Sequence, residues 1–413
     1  MSSLQLSVRY AAFYAAIFAA VGIFIPFWPL WLGGKGLSAS EIATLLAAAS
    51  WIKILSTPGI AQVSDRSGRP KATMIAIALL SVIAFALLTG ASGFWSILTI
   101  SLVATAAMHA LPPLGDSQTL AAVYAQGLDY GRIRLWGSLG FIAAAAAAGP
   151  LVEAFGVGSF LPMLLCLLIL TFCSVIALPN TSEAGPAETG PAESSPAETN
   201  AAESSRKPPV KGDWRSLLQP RFLIFLLCAS LLQAGHAAYY AFATIHWQKA
   251  GLSESVIGLL WAEGVAAEVL LFAVSTRITG RLRPSVLLLI GGFCGVVRWL
   301  VIGETTWLPA LTAVQLLHAG TFGATHLGAM HFIARRAPKG AAATAQSLYA
   351  AISGGLVMGL ALVLAGRLYG LDPALAFFAM AGLSGIAIAL ALRLLSFPEA
   401  TEASPEAYTK GDK

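Results

Sequence analysis

The sequence predicts an all-α membrane protein of twelve transmembrane helices arranged as two six-helix halves. Two compositional observations and one pattern lead there. Only 11% of the 413 residues are charged while 57% are hydrophobic, whereas a soluble domain carries about a quarter charged residues. Mean hydropathy is +0.76, so lipid must solvate much of the surface. Apolar runs able to cross a hydrocarbon core of roughly 30 Å recur along the chain. In lipid such runs must be helices, because unpaired backbone N–H and C=O groups find no water there.

In order, the first run (about 8–32) ends in "PFWPLWL" rather than at a small-residue cleavage site, so it is expected to be retained. The second (41–61) and third (72–90) flank the polar loop "DRSGRPK". The fourth (94–124) carries Pro112 and Pro113 and should kink there. A short polar turn leads into the fifth (131–150), which opens with Arg132 and Arg134, and the sixth (159–178) is uninterrupted grease. Residues 182–212 repeat Pro-Ala-Glu without aromatics, the composition of a disordered linker, which is expected to span 179–219. Six further runs follow at 220–247, 254–275, 284–303, 306–334, 341–366 and 373–396, then a polar tail at 397–413.

If both termini face the cytoplasm, that side collects Arg66, Arg69, Lys71, Arg132, the linker cations, Arg277, Arg281, Arg283, Arg335, Arg336 and Lys339. The other side holds Lys35, Lys249 and Arg367. The positive-inside rule therefore orients the chain with both termini in the cytoplasm. The net charge of +5 follows from this topology, and nucleic acid need not be invoked. Cys166, Cys173, Cys228 and Cys294 sit singly in apolar runs, which suggests neither a disulfide framework nor a metal site. No HExxH, phosphate-binding glycine loop or nucleophile elbow is present, so neither an enzyme nor an ATP-driven pump is indicated, and no cofactor is expected.

An ionised side chain at mid-bilayer costs at least about 2.5–3.5 kcal/mol, so each is a functional candidate. These are Lys53, Asp116, Arg134, Glu263, Glu268 and Arg298, with His236, His246, His318 and His326. At 1.5 Å per residue Asp116 stands roughly 12–18 Å above the 125–130 turn and Arg134 roughly 6–8 Å, so the two can meet across neighbouring helices. Such a pair could bind solute or simply glue the helices. Arg132 lies nearest the membrane face and should snorkel to lipid phosphate. Glu263 and Glu268, five residues apart, point about 140° apart, which favours Glu268 for the cavity. His318 and His326 lie nearly on one face, and each could move protons or satisfy an interhelical hydrogen bond.

The halves repeat. "GLSASEIATLL" from Gly36 returns as "GLSESVIGLLW" from Gly251, and "DRSGRPK" has a reduced counterpart in "GRLRPS". Two parallel six-helix repeats joined by a polar linker are the arrangement of major facilitator transporters. The loop "SDRSGRPK" resembles that superfamily's signature between helices two and three, which implies a gating role for Asp65, Arg66 and Arg69; a merely topology-setting loop would explain the arginines alone.

Within the superfamily the chain resembles the lactose permease branch, and more closely the phenylpropionic acid permease group. The resemblance rests on "IPFWPLWL", on the "D…GRIRLWG" spacing, on "VAAEV" with "VVRW", and on "LLHAGTF". It implies substrate contact at Asp116 and Arg134, proton coupling at Glu268 with Arg298 as its arginine partner, and a role for His318. Two departures stand out. Thr321 and Gln315 occupy positions where the sugar permeases carry a proton-binding glutamate and a lysine, and Lys53 is basic where they are not. The copied proton route fails, so coupling must fall to Glu268 or Asp116 first, with Glu263 behind and His318 also able to titrate.

These readings together predict proton-coupled uptake of a small organic solute across a bacterial inner membrane, by a monomer that needs only solute, protons and lipid as partners. An aromatic acid fits Lys53, with Trp28, Trp136, Tyr239 and Tyr240 available to hold a ring. A sugar or nucleoside fits the acid-plus-arginine pair. A transporter-like sensor is the alternative outside transport, although the tail of about fifteen residues is short for an output domain.

Overall fold

The computed structural model describes residues 2–180, 217–337 and 341–397. The expected linker and tail lie almost wholly outside them. The first six crossings are α1 (Ser3–Gly34), α2 (Ala39–Ser67), α3 (Pro70–Leu87), α4 (Phe94–Gln126), α5 (Tyr130–Phe155) and α6 (Phe160–Ala177). The seventh is α7 (Pro220–Ala234) continued by α8 (Ala237–Lys249), and the eighth is α9 (Glu254–Ala273), followed by the short α10 (Ser275–Thr279). The ninth is α11 (Pro284–Glu304) and the twelfth α16 (Pro373–Leu395).

The tenth and eleventh are not continuous α-helices. α12 (Leu308–Gln315) and α13 (Thr325–Arg336) are joined through a π-helical segment at Ala319–Ala324, and α14 (Ala342–Tyr349) meets α15 (Met358–Leu371) through another at Ala350–Val357. Eleven helical stretches among the described residues are long and apolar enough to cross a membrane. The crossing not among these eleven is the tenth, broken at mid-length between 308 and 336.

Helix starts follow local chemistry. The Ser38 hydroxyl accepts from the Glu41 amide while the Glu41 carboxylate reaches back to the Ser38 amide, closing a capping box on α2. Ser253 caps α9 by accepting from the Val256 amide, without the reciprocal side-chain bond. The repeated "GLS" is thus a structural unit: Gly36 and Gly251 both turn with positive φ (85° and 89°), and the serine two residues later starts the next helix.

The halves meet on the face away from the ends of the described chain. There α5 lies against α9 so closely that a Cβ at Gly149 would overlap the Glu254 carbonyl, and one at Gly258 the Ala145 carbonyl. Only glycine permits this approach. The Glu153 carboxylate accepts from the Ser255 amide at 3.2 Å and from the Ser255 hydroxyl, binding the first turn of α9 where helix amides are unpaired. On the same side α2 packs along the eleventh crossing down to Ile54 against Gly355, and Trp51 Nε1 donates to the Leu356 carbonyl at 3.4 Å. Beyond that level Leu55 and Val63 of α2 are exposed. The cleft between the halves is therefore shut on the far face and open on the face bearing the ends of the chain.

Candidate functional site

Two adjoining cavities occupy the cleft at mid-height. The larger, about 380 Å³, is lined by Arg134 from α5 and by Tyr239, Glu268, His318 and His326 from the second half. The other, about 300 Å³, is lined by Trp28 from α1, Lys53 from α2, His109 from α4, and Gln233 and Ser353 opposite. Ile25, Tyr240 and Phe322 line both, forming a shared apolar waist.

The sequence places Arg134 near Asp116, and the two stand 3.9 Å apart. Asp116 also accepts from the hydroxyls of Tyr14 at 2.6 Å and Tyr130 at 2.9 Å. The guanidinium lies over the Phe18 ring at 4.0 Å. All three contacts converge on Oδ1 of Asp116, from its own half, and Asp116 does not line either cavity; Arg134 does, and it brings the positive end of this cluster to the cleft. Arg132 is exposed and pairs with Asp129 at 3.4 Å, away from the site.

In the second half the expected direct pairing of Glu268 with Arg298 is not what forms. His318 stands between them. Arg298 Nη1 donates to His318 Nδ1 at 2.8 Å, and His318 Nε2 faces Glu268 Oε2 at 3.5 Å. Arg298 is wholly buried; Nη1 also donates to Thr321 Oγ1 at 3.1 Å and Nη2 to Gln315 Oε1 at 2.6 Å, both neutral acceptors, while Nε is unpartnered. The rings of Tyr239 and Trp299 flank its charge at 4.5 and 4.8 Å. The two positions that departed from the sugar-permease pattern are therefore the ones that hold the arginine.

Hydrogen-bond accounting assigns the protons. Arg298 can only donate, so His318 Nδ1 accepts and the ring proton sits on Nε2, directed at Glu268. A second proton would set ring N–H against guanidinium N–H and break that contact. His236 is ordered likewise: Nδ1 lies 3.2 Å from the Gln233 carbonyl and Nε2 3.2 Å from the Thr321 hydroxyl. The chain runs Arg298 to Thr321 to His236 to Gln233, each bond orienting the next member. This fixes a rigid platform, and Glu268 is the carboxylate it leaves with unshared lone pairs toward the cavity. Thr321→Val keeps the shape but removes one partner each from Arg298 and His236, so that His236 Nε2 is left buried and unpaired. We expect it to lower stability by about 1–3 kcal/mol, read as a lowered midpoint in thermal unfolding of the detergent-solubilised protein.

Of the remaining expected residues, Tyr239 lines the larger cavity with its hydroxyl on Gln315 at 3.2 Å. Trp28 lines the smaller one, stacked between Phe24 and Trp31, with its indole N–H unpartnered. Glu263 lines neither cavity, and Trp136 is exposed on the outer surface. Asp65, Arg66 and Arg69 are exposed on the open side, and Asp65 borders a separate cavity of about 330 Å³ with Pro113 and Gln118 of α4. His318, Phe322 and His326 form a ladder across the π-helical turn, with ring planes 17° and 5° apart in successive pairs. Sequence reading missed Tyr14, Tyr130 and His109. Among the described residues no group of three or more His, Cys, Asp or Glu could hold a metal ion.

A family model described as the MFS_1 like family matches residues 7–380. The chain belongs to this family of the major facilitator superfamily. It is accordingly a multi-pass membrane transporter with the major facilitator fold. Over 367 residues it is 36% identical to the probable 3-phenylpropionic acid transporter of Escherichia coli (strain K12), covering 88% of this chain and 91% of that protein. It is 26% identical to the putative nucleoside transporter YegT of the same organism, over 79% of this chain and 75% of that one. The crystal structure of the nucleoside transporter NupG superposes with a TM-score of 0.76 at 13% identity, covering 95% of this chain and all (100%) of that one. The last likeness concerns the fold.

Proposed function

We propose that this major facilitator carries a small aromatic carboxylate together with a proton across a bacterial inner membrane, with both termini in the cytoplasm. The observation that carries the reading is Lys53. Its ammonium lines an aromatic-walled cavity at mid-membrane height, and among the described residues it has neither a counter-ion nor a hydrogen-bond acceptor. A cation so placed is costly unless something anionic completes it. A substrate carboxylate would do so, with its ring against Trp28 and at the Tyr240–Phe322 waist. The relative at 36% identity, named as a probable 3-phenylpropionic acid transporter, supports the same class.

Charge accounting gives a reason for coupling. An anion on Lys53 adds one negative charge to the cleft, and a proton on Glu268 removes one. Loaded with both, or empty, the cleft carries the same net charge when it reorients; with either alone it is off by a unit in a low-dielectric setting. Glu268 is the proposed proton carrier because His318 is held to one tautomer by Arg298 and Asp116 is committed to Tyr14, Tyr130 and Arg134. Orientation rests on the cations clustered at the side of the termini, and on this reading the cleft is open to the cytoplasm.

Arginine and glutamate facing one cavity could instead grip hydroxyls of a nucleoside or sugar, the second reading. Counterflow in proteoliposomes separates them: vesicles preloaded with unlabelled 3-phenylpropionate, uridine or maltose are diluted into the labelled compound. Transient accumulation of the acid alone is expected. Accumulation of uridine or maltose without the acid would replace the proposal by the second reading.

A further inference from the structure

The two cavities place a polar group at each end of an apolar waist, and the aromatic-acid reading uses only one end fully. In the Lys53 cavity the ammonium meets the carboxylate. In the other, beyond Ile25, Tyr240 and Phe322, lies a second polar set. His318 is bonded to Arg298, and Tyr239 to Gln315. His326 is different: its ring packs against Phe272 and Phe322, both at 6.2 Å, and neither ring nitrogen has a hydrogen-bond partner among the described residues. The hydroxyls of Tyr240 and Ser138, also on this wall, are equally unpartnered.

We infer that this end of the cleft reads a hydroxyl at the far end of the substrate ring, with His326 as the residue that decides it. This rests on the aromatic-acid reading and narrows it to phenolic acids such as a 3-(4-hydroxyphenyl)propionate. A ring held at the waist with its carboxylate toward Lys53 must direct its para position away from Lys53, into the larger cavity. An unsubstituted ring would leave His326 and its polar neighbours facing hydrocarbon, and unpaired polar groups next to a buried ligand cost affinity. A phenol supplies what is missing: its O–H donates to the unprotonated nitrogen of His326, and its oxygen can accept from Tyr240 or Ser138. Phe322 and Phe272 hold the imidazole against rotation, which is what a selective contact needs.

The test is calorimetric binding of three probes to the purified full-length protein: 3-phenylpropionate, its 4-hydroxy derivative and its 4-methoxy derivative. In the natural protein the hydroxy acid is expected to bind about tenfold tighter than the unsubstituted acid, the order of one good hydrogen bond. The methoxy acid, which cannot donate, should lose that advantage. In His326→Phe, which keeps an aromatic ring in the stack, the hydroxy-to-unsubstituted ratio should fall to about one. An unchanged ratio in His326→Phe, or no preference in the natural protein while 3-phenylpropionate binds, would overturn the inference and leave the aromatic-acid reading standing. Failure of all three acids to bind would remove both.

Discussion

Glu268→Gln is expected to abolish pH-driven accumulation of substrate while preserving exchange of labelled for unlabelled substrate. One pH unit across the membrane is worth about 1.4 kcal/mol per proton, so a symporter with one proton per anion concentrates its substrate about tenfold. A glutamine neither takes up nor releases the proton, so the gradient has no handle and the ratio should fall to about one. It still resembles the protonated carboxyl that the loaded state carries, so the loaded protein can reorient and exchange. The His318 N–H facing Oε2 in the native protein can be met equally by the amide oxygen, and the Arg298–Thr321–His236 chain is not touched. Uptake under an inward proton gradient, beside counterflow on the same vesicles, separates the two activities. Full accumulation in the variant would place the proton elsewhere, with Asp116 next to be tested.

Lys53→Gln is expected to weaken binding of 3-phenylpropionate by about 10- to 100-fold, the range of a charge-assisted hydrogen bond worth 1.5–3 kcal/mol. The side chain stays polar and of similar reach, so the folded protein should survive; removing an uncompensated cation from the membrane interior works in its favour. The diagnostic is selectivity. The natural protein should prefer the acid over its amide, and the variant should bind both alike, while Lys53→Arg should retain preference for the acid. Equal loss for acid and amide in Lys53→Gln would make Lys53 a packing residue.

Much of the fold was legible because lipid imposes simple rules. Length and apolarity located the crossings, and the serine caps after Gly36 and Gly251 made the repeat visible. The tenth crossing was located by its apolarity, but its π-helical turn was not, because such a turn leaves no hydropathy signal: "HAGTFGA" is as apolar as a regular helix. At the site, the unusual residues were visible as charges in grease, and Asp116 and Arg134 could be brought near each other by helix arithmetic. Their roles were harder to read. That Tyr14 and Tyr130 both donate to Asp116 depends on how α1 and α5 cross, which no spacing within α4 encodes. That His318 separates Glu268 from Arg298 depends on three helices at once. The useful hint was chemical: Thr321 and Gln315 offer neutral acceptors where charges were expected, and a buried arginine needs acceptors.

Whether the site couples an anion to a proton can be asked most directly by separating the two components of the proton-motive force. Proteoliposomes are given either an inward pH gradient at zero potential or a potassium diffusion potential, negative inside, at equal pH. Labelled 3-phenylpropionate is followed against protein-free vesicles, which remove the passive leak of the neutral acid. One proton with one monovalent anion moves no net charge, so the pH gradient should drive protein-dependent accumulation of about tenfold per unit and the potential alone should drive none. Accumulation driven by the potential without a pH gradient, or none above protein-free vesicles under either, would contradict it.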